Sequence, residues 1–426
     1  MTSRISRTPR LVALAFVLVA LIGAGGPTHL PPVIDASNET GVARTLSAAG
    51  PIDLSNPFFQ SLGTNGRSCV SCHAPGEGWS IVPASVRNRF DRSDGLDPIF
   101  RANDGSNSPY ADTSTVEARR AAYSMLLSRG VIRVGMTVPE GAEFVVDAVD
   151  DPHGYAEPGR LSLYRRPLPT TNLAFLSTLM WDGRETFDGQ ALHFDLAHQA
   201  NGATLGHAQS AEALTPEQAE AIVRFETALF TAQLRDVAAG ELSAAGADGG
   251  PKALTSQEFV GATGRVFTLF DAWADLSGKG PFNAARGAVA RGQAIFNTRS
   301  LRGSFTCSSC HNSVNAGSRS TMQFLDVGIA SEAARAPGFP LYTLRCLATG
   351  AVTRTTDPGR ALVTGRCQDI GRFKIPTLRA LATRAPYFHN GNAETLEQVV
   401  DTYDARFGAG FTPTEREDLV AFLRSL

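Results

Sequence analysis

The sequence predicts a mainly α chain that folds as two domains with long loops. Three observations carry that expectation. A C-x-x-C-H motif occurs twice, far apart, at Cys69-Val70-Ser71-Cys72-His73 and at Cys307-Ser308-Ser309-Cys310-His311. A Gly/Ala-rich stretch from Ala238 to Ala253, containing Gly249-Gly250-Pro251 and no sustained apolar pattern, lies between them. The flanking segments show helical periodicity far more often than strand alternation.

A chain of 426 residues exceeds the size that a single core usually serves. The expected division is therefore residues 27–240 and 254–426, joined by a linker at 241–253, with each half built around its own motif. Ahead of them, Arg4, Arg7 and Arg10 precede an apolar run from Leu11 to Ile22, and small residues Gly23 to Gly26 follow. That order of charge, apolar run and small residues reads as a secretory signal over residues 1–26, with an uncleaved anchor as the alternative.

Within the first half, Val131-Ile132-Arg133-Val134 and Phe144-Val145-Val146 read as a small β-hairpin. Thr215 is an N-cap with Pro216 behind it, opening a helix to about Leu234 through Ile222, Phe225, Leu229 and Phe230. Beyond the linker, Thr255 to Trp273 and Ala284 to Phe296 read as helices, and Thr412 caps a last one ending at Leu426.

The repeated motif has a specific chemistry. In C-x-x-C-H the two thiols add to the vinyl groups of a haem and the adjacent histidine reaches its iron. Cys69, Cys72, Cys307 and Cys310 are then anchors for two covalently bound haem c groups, with His73 and His311 as axial ligands. Zinc or redox C-x-x-C sites are the alternative, but they give no reason for a histidine to follow the second cysteine both times. Each half becomes a cytochrome c-like domain. Cys346 and Cys367 remain, either as a disulfide suited to an oxidising compartment or as two free thiols, since spacing does not decide bridge geometry. A formal net charge of −2 without any block of Lys and Arg argues against nucleic acid and anionic membrane surfaces as partners.

Further matches lie outside the haem motifs. They are Trp181-Asp182-Gly183-Arg184-Glu185 after Pro169-Thr170-Thr171-Asn172-Leu173, Arg291-Gly292-Gln293-Ala294-Ile295-Phe296, Gly371 to Arg379, and Ala385-Pro386-Tyr387-Phe388-His389-Asn390-Gly391. With these motifs the chain resembles the bacterial dihaem cytochrome c peroxidase and MauG family, densely from about Gly287 onward and patchily before it. The resemblance implies a periplasmic oxidoreductase that meets hydrogen peroxide at the His73 haem and stores electrons at the His311 haem. Electrons would come from a small cytochrome c or cupredoxin, or from a protein or organic substrate in the MauG manner. A non-enzymatic dihaem electron carrier is the alternative. Many such relatives pair, so a homodimer is a candidate assembly.

The resemblance also places individual residues. Trp181 matches the tryptophan between the two haems, and Asp182 and Arg184 pair with each other or with a haem propionate. The sixth ligand of the second haem falls on Tyr403, where peroxidases usually have methionine and MauG-like proteins tyrosine; Met322 and His389 are the rivals. The chain departs from its relatives where they place a distal glutamate. The stretch from Asp195 to His207 offers His207 first and His198 second as acid/base or distal ligand, with Glu212 a weaker candidate. A segment of about residues 80–165, including His153, is an insertion relative to the compact peroxidases. Relatives bind calcium between the halves, but Arg166 and Arg384 occupy the corresponding places, making calcium doubtful and an arginine guanidinium its replacement.

Overall fold

Each C-x-x-C-H motif starts a short helical turn that its own hydroxyls close. In the first, the Ser68 backbone N–H donates to Ser71 Oγ at 3.1 Å. In the second, Thr306 N–H donates to Ser309 Oγ at 2.9 Å and Ser309 N–H returns a bond to Thr306 Oγ1 at 3.2 Å. A hydroxyl residue before the motif and a serine inside it satisfy the orphan donors of the turn. The computed structural model describes residues 27–258, 265–276 and 280–426. The expected signal, residues 1–26, lies outside these. No helix among the described residues is long and apolar enough to cross a membrane.

The described residues hold ten α-helices and thirteen strands, so the fold is mixed α and β rather than mainly α. The missed strands are short and come from distant parts of the chain. A four-stranded antiparallel sheet runs in the order Val33–Asn38, Gly41–Ser47, Leu229–Asp236, Gly240–Glu241. The helix expected to reach Leu234 therefore ends at Thr227. Its helix-compatible apolar spacing is overridden at Thr231, whose backbone N–H and C=O are both held by the Asn172 side chain, at 3.1 and 2.8 Å.

The hairpin expected in the first half is absent, although both of its strands form. Ile132–Thr137 pairs with Arg160–Arg165, while Phe144–Asp150 pairs with Leu341–Cys346 of the second half. Tyr342 accounts for this exchange. Its hydroxyl accepts from Ser162 N–H at 2.9 Å and donates to Ser162 C=O at 2.7 Å, which joins the two sheets around a core of Phe144, Leu161, Leu163, Tyr342 and Leu344. Cys346 and Cys367 form a disulfide beside this sheet.

In the second half, helix Asn283–Thr298 packs across helix Pro413–Arg424. Gly292 permits the crossing, because a Cβ there would lie 2.0 Å from the Asp418 carbonyl oxygen. Arg291 and Asp418 then pair at 2.7 Å. The helix expected over Thr255 to Trp273 falls partly outside the described residues; beside that gap only single turns occur, at Lys252–Ser256 and Asp271–Trp273. Side chains of the crossing helix hold this irregular backbone instead, with Gln293 accepting from Phe270 N–H at 3.0 Å and Asn297 from Val266 N–H at 3.3 Å. Residues 241–253 are similarly tied down: Leu242 N–H reaches Leu234 C=O at 3.0 Å and Asp248 N–H reaches Leu269 C=O at 2.9 Å.

Candidate active site: two cavities with a shared wall

The two motif histidines face different cavities. Cys69, Cys72 and His73 line the first; Cys307, Cys310 and His311 line the second. Residues 166–169, Trp181 and Lys374 line both, and so form the wall between them. The tryptophan is fixed there by its indole N–H, which donates to Arg166 C=O at 2.8 Å, and by its own carbonyl, which accepts from Lys374 N–H at 2.8 Å.

The donor set fits haem c. A backbone carbonyl takes Nδ1 of each histidine, Trp79 C=O at 3.1 Å for His73 and Gly317 C=O at 2.5 Å for His311, which commits Nε2 to the ligand role. Burial pushes both imidazoles down to about 4, against the hydrogen bonds that raise them, so both are neutral and able to bind iron. None of the four motif cysteines is in a disulfide. Burial pushes the Cys69 and Cys307 thiols up to about 12, the opposite of what a redox C-x-x-C pair needs. Among the described residues no group of three or more His, Cys, Asp or Glu could hold a metal ion on its own.

Tyr403 lines the second cavity together with His311. It stands on helix Leu396–Phe407, its ring stacked on Phe407 with centroids 5.9 Å apart, and burial raises its hydroxyl above the usual range. The rival ligands are elsewhere. Met322 is exposed, and His389 is buried with its ring 4.1 Å from Phe373 in a stacked arrangement.

Of the distal candidates, His207 lines the first cavity. His198 does not: it is half exposed, paired with Glu185 at 2.6 Å, and packed against Phe187. Its place on helix Leu192–Gly206, nine residues before His207, puts it on another face. Glu212 is exposed and its backbone bonds only Ser210. His153 caps a remote contact, bonding Gly338 C=O at 2.9 Å.

Asp182 pairs with Arg184 at 3.0 Å as expected, and also with the buried Arg165. Despite a burial penalty, these cations hold the Asp182 carboxyl down to about 2. Arg165 was not legible in the sequence, nor was Asp357, its other partner at 2.7 Å. Three further ionisable groups stand in the cavity walls. Asp104 and Glu226 line the first cavity, and Lys374 lines both. Glu226 has a carboxyl oxygen with no hydrogen-bond partner, and burial pushes it up to about 8. Lys374 donates to Thr178 C=O at 2.6 Å, and burial pushes it down to about 7. Only Lys374 sits in a recognisable motif.

At the place considered for calcium, Arg166 spreads its buried guanidinium among backbone oxygens. Nη1 donates to Arg129 C=O at 2.7 Å, and Nη2 to Ile81 C=O at 2.7 Å and Arg384 C=O at 3.1 Å. One guanidinium thus takes up three backbone oxygens from separate segments.

Comparison with known proteins gives a consistent class. No family model matches the chain. The cytochrome-c peroxidase IdrP1 of Pseudomonas sp. (strain SCT) is 31% identical over 175 residues, which is 36% of this chain and 43% of that protein. The cytochrome-c peroxidase IdrP2 of Denitromonas iodatirespirans is 35% identical over 131 residues, 28% of this chain and 35% of its own. The cytochrome c551 peroxidase of Nitrosomonas europaea is 43% identical over 75 residues, 17% and 22% of the two chains. The matched stretches thus span less than half the length of these curated relatives. Among solved structures, a MauG-like protein associated with microbial copper homeostasis aligns over 95% of this chain and 94% of that one, at 15% identity and a TM-score of 0.42, too low to carry an argument. These curated relatives are all cytochrome c peroxidases, and that is the class of protein to which the chain is similar.

Proposed function

We propose that the chain is a periplasmic dihaem oxidoreductase that reduces hydrogen peroxide in the first cavity with electrons relayed through the second. The observation that carries this reading is the wall: two histidine-bearing cavities share Trp181. Haem c attached at Cys69 and Cys72 would supply an iron for peroxide, and haem c at Cys307 and Cys310 a one-electron store.

The overall change takes hydrogen peroxide, two electrons and two protons to two waters. The electrons come from a small cytochrome c or cupredoxin, or from a protein or organic substrate that is thereby oxidised. His207 takes the first peroxide proton at a ring nitrogen and returns it to the departing oxygen. Trp181 couples the cavities, and Arg184 offers a cation to the anionic groups of the cofactor, with the Lys374 amine as a further hydrogen-bond donor. Tyr403 lines the cavity of His311 and would hold the iron of the second haem with it; an anionic oxygen donor there would favour oxidised iron and so the MauG-like branch.

A spectral titration of the haem-loaded ferric protein with hydrogen peroxide tests the reading, followed by stopped-flow absorbance and repeated after one-electron reduction. A rapid change with a stoichiometric amount of peroxide is expected, and reaction without prior reduction selects the MauG-like branch. If neither redox state responds, the protein is a non-enzymatic electron carrier.

A further inference from the structure

Asp104 is a carboxylate that the inserted segment carries into the wall of the first cavity, where it is 5% exposed. Its two oxygens have separate tasks. Oδ1 pairs with Nη1 of Arg67, two residues ahead of Cys69, and Oδ2 receives Nδ1 of His207. The pieces around this contact are fixed. Arg67 also donates to Pro98 C=O at 2.9 Å and Ile99 C=O at 2.6 Å. The Asp104 carbonyl accepts from Arg133 N–H at 2.7 Å, and the His207 carbonyl from Asn65 Nδ2 at 2.8 Å. Burial alone would raise the Asp104 carboxyl, but His207 and Arg67 outweigh it and hold it below the ordinary value.

Arg67 by itself would neutralise a buried aspartate whose only task was to pin the loop. The second oxygen, aimed at a histidine on the cavity wall, has a different consequence. A carboxylate at Nδ1 requires the proton on that nitrogen, which leaves Nε2 of the neutral ring as an acceptor. We infer that Asp104 is the positioning residue that makes His207 the proton acceptor and donor of the first cavity, an inference that rests on the peroxide reading above. The insertion is thereby part of the site rather than a decoration remote from it.

The charged and titratable groups facing His207 are Asp104 and Arg67 beside it and His73 across the cavity; Glu226, Arg165, Arg166, Arg184 and Lys374 line the remaining wall. Asp104→Asn keeps the shape and removes the charge, whereas Asp104→Glu keeps the charge. Full-length, haem-loaded wild type, both variants and His207→Gln are compared between about pH 5 and about pH 9, the range in which histidine titrates. Three quantities are read: the rate of reaction with peroxide, the rate at which hydrogen cyanide binds, which also requires a proton acceptor, and the thermal midpoint. Asp104→Asn and His207→Gln should each slow peroxide and cyanide on the order of 10²-fold and move the pH profile. Combining the two should add little, and Asp104→Glu should recover part of the loss. If Asp104→Asn lowers only the thermal midpoint and leaves both rates and the pH profile as in wild type, Asp104 merely pins the loop and the inference is overturned. A wild type inert to peroxide overturns the peroxide reading, and the cyanide rates then decide for or against the Asp104–His207 pair by themselves.

Discussion

Arg165 grips Asp357 through two hydrogen bonds of 2.7 and 2.9 Å, a buried bidentate pair that joins the segment before Trp181 to the second half of the chain. The same guanidinium holds Asp182, whose backbone carbonyl accepts from Arg360 Nη1 at 2.9 Å. The tryptophan wall is therefore set by charge on one side and by backbone on the other. Asp357→Asn should cost about 2 kcal/mol of stability, because it weakens a buried, charge-assisted bidentate contact while Asp182 still balances the Arg165 charge. Urea unfolding of the haem-loaded protein measures it, and a loss below about 1 kcal/mol, the range of an exposed pair, counts against the role given to this contact.

Tyr403→Phe should change the second haem alone. The ring keeps its stacking on Phe407 while the oxygen disappears, so the ferric spectrum and potential of one haem shift and the other stays. Tyr403→Met should raise that potential by on the order of 0.1 V or more, since axial ligands tune haem potential over a wide range. Spectroelectrochemical titration reads both; two unchanged potentials would exclude Tyr403 as a ligand.

Arg166→Met removes the cation and leaves the carbonyls of Arg129, Ile81 and Arg384 facing a buried gap. A destabilisation of about 3 kcal/mol is expected from the unmet acceptors. Added calcium should restore part of it in the variant, whereas neither calcium nor a chelator should move the wild-type midpoint. Chelator sensitivity of the wild type would show that the guanidinium does not replace a metal.

Glu226 gives a pH signature. Burial raises its carboxyl from 4.5 to about 8, so its neutral form is the one the fold prefers. The stability it contributes is complete below the unfolded value and is lost as pH rises through about 8. Glu226→Gln should hold its thermal midpoint through that range while the wild type declines. Parallel decline of the two would assign the loss to another group.

Local signals were legible in the sequence and long-range ones were not. The helix caps at Thr215 and Thr412 depend on neighbours a few residues away, and both stand where the local pattern implies; the two C-x-x-C-H motifs are equally local signals. His207 was separable from His198 only in three dimensions, because both lie on or beside one helix and differ in the face they present. Asp104 could not be found at all: it stands in a motif-free loop, 103 residues from the histidine it orients. The strand pairings failed for the same reason, since Phe144–Asp150 carries strand propensity but its partner lies almost 200 residues away.

That last pairing constrains how such a chain can be rearranged. Leu341–Cys346 sits at the centre of its sheet only because Phe144–Asp150 covers one edge. A shortened relative made by excising the inserted segment would bare that edge and invite pairing with another molecule. A chimaera that grafts either half onto a compact peroxidase inherits the same liability. The insertion and the disulfide-closed hairpin opposite it must be transplanted, or lost, together.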